Sequence, residues 1–138
     1  MKKTVLIMLL SIVTLGISSC KKEVFVPNDG IPNQTLLKYV ASGDWRLSPD
    51  NNTYSVTIPV GEIDRGTFEN DNISLMISRG DNDVYDGMPY SDEASGDNYS
   101  FDITPGSVTI YYQNKYSVPP ARPNLVTRVK IVLTTSSL

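Results

Sequence analysis

Apolar and polar side chains alternate with a period of two along most of the chain after residue 35. Five segments show the pattern most clearly: 54–58, 73–77, 99–103, 108–112 and 129–133. Successive side chains of a β-strand point to opposite faces of a sheet, so this alternation is typical of half-buried strands. No long segment keeps the helical period of 3.6. We therefore predict an all-β fold, an antiparallel β-sandwich of roughly seven strands with Greek-key or immunoglobulin-like connections.

Proline and glycine mark the connections between these strands. Residues 104–107 (Thr-Pro-Gly-Ser) place proline second and glycine third, as a type II turn favours, and we expect them to form a hairpin. Three prolines within residues 119–123 exclude a central strand there, because proline has no backbone N–H to donate. The one candidate helix is the segment 64–70, where we expect Asp64 to cap one or two turns.

The first 20 residues follow a different pattern. Lys2 and Lys3 precede an almost entirely apolar run over residues 5–15, and small residues then lead to Cys20, the only cysteine. This order is typical of a secretory signal, and the run is too short to cross roughly 30 Å of hydrocarbon, which takes about 20 residues. Residues 17–20 (Ile-Ser-Ser-Cys) resemble the lipobox of bacterial lipoproteins, which implies that Cys20 is the site of lipid attachment.

These patterns divide the chain into three parts. Residues 1–19 are expected to be a cleaved signal peptide, residues 20–34 a flexible tether, and residues 35–138 one β-sandwich domain. Membership of the lipoprotein class implies two or three acyl chains on Cys20, which hold a protein on a membrane where one chain is marginal. The expected location is the bacterial outer membrane, with the periplasmic face and the cell surface both left open.

Composition limits the functions that this domain can have. The chain carries 12 basic and 15 acidic residues and no histidine, and loss of Lys2 and Lys3 with the signal changes the net charge from −3 to −5. Nucleic-acid binding needs a basic surface, so this partner is excluded. Because histidine and a free cysteine are missing, the common nucleophilic catalysts and transition-metal sites lack their groups. We therefore expect a protein that is not an enzyme.

Two kinds of carboxylate chemistry stay open. A hydrolase could use a pair of acids, and the candidates are Glu62, Glu69, Asp71 and Glu93, although no spacing selects a pair. A calcium ion could relieve the repulsion within an acidic stretch between two predicted strands: Asp81, Asp83, Asp86, Asp92, Glu93 and Asp97. We predict no required cofactor and name Asp81, Asp83 and Asp86 as the candidate calcium ligands. The alternative is a solvated acidic loop.

The mature part of the chain resembles short, uncharacterised lipoproteins of the Bacteroidota. The resemblance is a pattern of hydrophobic positions over most of residues 35–138. Its positions here are Trp45, 54–60, Ile63, 73–77, 88–90 (Met-Pro-Tyr), 99–112 and 126–133. It implies a location and a fold, and it implies no catalytic residue.

The leading functional hypothesis is a lipid-anchored, non-enzymatic binding or accessory module that acts on a glycan or a partner protein. Its alternative is a structural subunit of a larger outer-membrane complex. Aromatic rings on a sandwich surface can stack on sugars. The rings in question are Trp45, Tyr85, Tyr90, Tyr111 and Tyr116, and the alternative for Trp45 and Tyr90 is packing in the core or at a sheet edge.

Overall fold

The computed structural model describes residues 33–80 and 83–136, and this part of the chain forms a β-sandwich of two antiparallel sheets. The predicted fold class is confirmed. The strands are β1 (Gln34–Val40), β2 (Arg46–Leu47), β3 (Tyr54–Pro59), β4 (Asn72–Ser78), β5 (Asp86–Gly87), β6 (Tyr90–Asp92), β7 (Asp97–Thr104), β8 (Ser107–Asn114) and β9 (Thr127–Thr134). The first sheet has the order β1-β9-β4-β5 and the second has the order β2-β3-β8-β7-β6.

The strand count exceeds the predicted seven because β2 and β5 have two residues each, too few to show any alternation. The predicted signal peptide, Cys20 and the tether up to residue 32 lie outside the described residues. Strand β1 begins at Gln34. Within the described ranges, no helix is long and apolar enough to pass through a bilayer.

The predicted turn and helix are both confirmed. Strands β7 and β8 pair from Thr104↔Ser107 onward, and Gly106 adopts a φ of +86° at the turn. Helix α1 (Arg65–Asn70) begins after Asp64, whose carboxylate accepts a hydrogen bond of 2.8 Å from the backbone N–H of Thr67. The segment 115–126, with its prolines, contains no strand.

The core lies between the two sheets and consists of the residues that the alternation placed on one face of each strand. Strands β3, β8 and β9 each bury every second side chain, as in Val108, Ile110 and Tyr112. Three further core residues, Trp45, Val60 and Ile63, come from connections outside the strands and are fully buried. These three side chains fill the part of the core that lies beyond the ends of the strands.

The sandwich has two distinct ends. At the N-terminal end, where β1 begins, Gln34 pairs with Leu133, and both line a depression together with Glu62 from the connection between β3 and α1. At the opposite end, Val40 pairs with Thr127. The seven residues of β1 separate these ends by about 20 Å at roughly 3.4 Å per residue.

Candidate ligand-binding cleft

A cleft of about 550 Å³ opens at the end of the sandwich opposite the start of β1. Its walls come from both sheets and from the connections between them. The lining residues are Arg79, Gly80, Val84, Asp86, Asp97, Tyr99, Tyr112, Ala121, Arg122, Pro123, Asn124 and Thr127. Because four of these come from the proline-containing connection between β8 and β9, that connection forms one side of the cleft.

Arg79 joins the two sheets at this cleft. It directly follows β4 in the first sheet, and its guanidinium donates to Asp86 at 3.2 Å and to Asp97 at 3.4 Å. It also donates to the hydroxyl of Tyr90 at 2.9 Å and lies 4.2 Å from the centre of that ring. One side chain therefore holds two carboxylates and an aromatic ring from three separate strands.

Asp97 is held by donors on both of its oxygens. Its Oδ1 accepts hydrogen bonds from the Tyr112 hydroxyl at 2.8 Å and from Asn114 at 2.9 Å, while Oδ2 accepts from Arg79. The Tyr112 ring stacks on Tyr99 with a centroid distance of 4.7 Å. This stack forms the floor between the cleft and the hydrophobic core.

Burial and the neighbouring Asp97 carboxylate, in that order, raise the pKa of Tyr112 to about 12. Burial, the adjacent Tyr112 and Asp97 also raise the pKa of Tyr99. The folded state thus holds both phenols neutral, whereas an unfolded chain ionises them near pH 10.

This difference predicts a loss of stability in alkaline solution. Below pH 10 the folded and unfolded states bind the same phenolic protons. Between pH 10 and 12 the unfolded state loses these protons first. The free energy of unfolding should therefore fall by at most about 1.4 kcal/mol per pH unit for Tyr99, and by less for Tyr112, whose pKa is raised less. Urea unfolding at pH 9.5, 10.5 and 11.5 measures this slope. The double variant Tyr99→Phe/Tyr112→Phe should flatten it, and equal slopes in both proteins would contradict the assignment.

The structure separates the acidic residues that the sequence grouped together. Asp86 and Asp97 lie at the cleft with Arg79, Asp83 lies 3.6 Å from Arg128, and Glu93 pairs with Lys115 at 2.9 Å. The Ala94 backbone N–H holds the pKa of Asp92 below its usual value. Basic side chains from elsewhere in the chain therefore offset charges that appear unbalanced along the sequence.

The calcium hypothesis for Asp81, Asp83 and Asp86 stays a prediction, because Asp81 lies outside the described residues. The other two named residues point to different partners, Arg128 and Arg79. Over residues 33–80 and 83–136, no group of three or more acidic side chains could hold a metal ion.

The structure also places the aromatic side chains that the sequence suggested for sugar stacking in different parts of the domain. Trp45 is fully buried and meets Tyr99 edge to face at 6.5 Å, so it packs in the core. Tyr85 lies over Lys130 on the outer face of the first sheet, with the ammonium 4.0 Å from the ring centre. Tyr116 is exposed but donates its hydroxyl to the Glu93 carbonyl at 2.9 Å. Tyr111 lies on the outer face of the second sheet, since its neighbours Ile110 and Tyr112 are buried.

Sequence reasoning missed the two arginines of the cleft. Arg79 lies two residues after the predicted strand segment 73–77 and was not among the candidate site residues, and Arg122 lay in a segment identified only by its prolines. The available signal was the position of Arg79 directly after a strand whose last residues are apolar or small, close to several acids.

No protein-family model, no curated protein and no solved structure matches this chain. The fold and the cleft together define a small antiparallel β-sandwich with a polar cleft at one end.

Proposed function

We propose that this chain is a lipid-anchored, non-enzymatic binding module of the bacterial outer membrane and that its cleft receives a glycan. In this proposal the acyl chains on Cys20 supply the anchor after the signal peptide over residues 1–19 has been cleaved. The observation that carries it is the position of the cleft, about 20 Å from the residue where β1 begins. Residues 20–34, the predicted tether, therefore join the domain at the end of the sandwich opposite the cleft.

The chemistry of the lining supports a sugar ligand. Concave sites with an apolar wall and a few convergent polar groups are the usual binding sites for small molecules. Val84, Ala121 and Pro123 supply apolar surface here, and Arg122 and Asn124 supply exposed hydrogen-bonding groups. A sugar ring offers the same combination, with C–H faces and hydroxyl edges.

The two carboxylates in the cleft favour binding over catalysis. A carboxylate-based hydrolase needs one acid to transfer a proton and a second to act as a base or nucleophile. Asp97 has donors on both oxygens, from Tyr112, Asn114 and Arg79. Among the earlier candidates, Glu69 pairs with Arg65 and Glu93 pairs with Lys115, both at the surface. The hydrolase thus ranks third among the hypotheses.

An array of glycans tests the binding proposal. Protein purified from membranes in detergent should be retained on at least one glycan, and Ala121→Trp should weaken that retention at least tenfold by filling the cleft. Ala94→Trp is the matched control, because Ala94 is also exposed but does not line the cleft. Equal retention of both variants, or no retention of the unaltered protein, would refute the proposal. Mass spectrometry of the same preparation tests the acyl chains on Cys20.

A second candidate, a subunit of a larger envelope complex, is favoured by one surface. On the outer face of the first sheet Leu37 and Tyr39 are 44% and 65% exposed. Next to them, Leu125, Val126 and Arg128 line a depression of about 360 Å³ with Tyr39. Aromatic, aliphatic and arginine side chains with few acids are typical of interface cores.

Site-specific crosslinking in intact cells tests this second candidate. A photoreactive residue at position 37 should capture one partner in stoichiometric amounts, whereas the same residue at Thr57, exposed on the other sheet, should not. Absence of such a partner at position 37 would leave the binding module as the proposed function.

A further inference from the structure

The charged groups that the structure describes in the cleft balance one another. Of the residues in the described ranges, two arginines and two aspartates line it: Arg79, Arg122, Asp86 and Asp97. Their formal charges sum to zero, although the chain as a whole carries a net charge of −3. Because a fixed excess of one sign attracts ligands of the other sign, a balanced site gives no electrostatic preference for a charged ligand.

Arg79 already pairs with groups of the protein and is therefore not free to bind an anionic ligand. Its two terminal nitrogens donate to Asp97, Asp86 and the Tyr90 hydroxyl. Turning this guanidinium toward a ligand would leave two partly buried carboxylates without their cation, which is unfavourable. Asp97 is similarly committed, as its two oxygens accept three hydrogen bonds.

The remaining polar groups include both donors and acceptors. Asp86 uses Oδ2 for Arg79, and its Oδ1 has no hydrogen-bond partner among the described residues. Arg122 has no carboxylate within 4 Å in the described ranges, and its guanidinium lies 5.6 Å from the Tyr54 ring centre. Asn124 adds an exposed amide with one acceptor and two donors. An acceptor and several donors therefore line the same cleft.

We infer that the ligand of this cleft is an uncharged sugar with neighbouring hydroxyl groups. This inference rests on the proposed function and names the class of glycan. One hydroxyl donates to Oδ1 of Asp86, and an adjacent hydroxyl accepts from Arg122 or Asn124. Val84 and Pro123 contact the apolar face of the ring. Among the described residues a sugar carboxylate gains only Arg122 as a cationic partner and meets the carboxylates of Asp86 and Asp97, so acidic sugars bind more weakly.

Matched pairs of oligosaccharides test this inference. Neutral tetrasaccharides of galactose, glucose and mannose are compared by calorimetry with the corresponding uronic-acid tetrasaccharides, using the full processed protein in detergent. We expect at least one neutral member to bind at least tenfold more tightly than its acidic counterpart. Raising NaCl from 50 to 300 mM should change the affinity for the neutral sugar less than twofold, since no ion pair with the ligand is screened.

A variant series separates hydrogen bonding from charge. Arg122→Gln keeps a donor and should weaken neutral-sugar binding less than fivefold, whereas Arg122→Ala removes it and should weaken binding more. Arg65→Gln, at the opposite end of the sandwich, is the control and should change nothing. Tighter binding of the acidic member, with a loss of tenfold or more in Arg122→Gln, would overturn the inference and leave the proposed function intact. Equal binding of both members would also overturn it. Binding of neither member in any pair would overturn the proposed function itself.

Discussion

Replacing Arg79 by methionine should lower the free energy of unfolding by about 2–3 kcal/mol. Methionine preserves most of the aliphatic stem, but Asp86 and Asp97 lose the cation that they share, and Tyr90 loses a donor. Breaking a fully buried ion pair costs about 3–5 kcal/mol. The side chains here are 27%, 26% and 21% exposed, so water screens part of the interaction and the expected loss is smaller.

Urea unfolding of two variants checks this prediction. Arg65→Met is the matched control, because Arg65 pairs with Glu69 on the exposed surface of α1, where an ion pair contributes about 0–0.5 kcal/mol. Arg79→Lys should fall between the unaltered protein and Arg79→Met, since it keeps the charge but lacks the planar fork that reaches both carboxylates. Equal losses in Arg79→Met and Arg65→Met would show that Arg79 does not join the sheets.

Replacing Trp45 by alanine should cost about 3–5 kcal/mol, the range for removing a fully buried tryptophan. Trp45 has no exposed surface and contacts Tyr99, which in turn stacks on Tyr112 at the floor of the cleft. The resulting cavity should therefore loosen the cleft as well as the core. Trp45→Phe should cost less, because it keeps a ring and removes an indole N–H that has no hydrogen-bond partner among the described residues.

Tyr39→Ala is the control for this prediction, since Tyr39 is also a large aromatic side chain but is 65% exposed. We expect it to change the unfolding free energy by less than about 1 kcal/mol. Thermal and urea unfolding of the three variants give the comparison. A Trp45→Ala variant as stable as Tyr39→Ala would mean that the indole is a surface group, as in the sugar-stacking interpretation of the sequence.

Much of the fold could be predicted because each long strand has a local, period-two pattern of side chains that identifies it. Val129, Ile131 and Leu133 occupy every second position, with Arg128 and Lys130 on the other face, and the first face is the buried one in β9. Residues 104–107 and Asp64 each specify a turn or a cap through their own backbone preferences. Two-residue strands such as β2 carry no such pattern, since two positions do not establish a period.

The cleft could not be predicted in the same way, because its residues meet only after the two sheets pack. The sequence suggested a run of uncompensated acids from Asp81 to Asp97. In the structure Arg79, directly after β4, pairs with Asp86, and Lys115, directly after β8, pairs with Glu93. Long-range pairs between charged side chains have no periodicity along the chain, so spacing alone cannot reveal them.

The alternation of side chains was thus sufficient for the class of fold and for the inward faces of the long strands, because strand geometry is a local property of successive residues. The order of charged, apolar and small residues over residues 1–20 is likewise a local pattern, and the predicted anchor at Cys20 is based on it. The pairing of Arg79 with Asp86 and Asp97, the burial of Trp45 and the position of the cleft opposite Gln34 depended on sheet packing and strand order. Those features follow from contacts between residues far apart in the chain, where the free energy of packing and not local preference selects the arrangement.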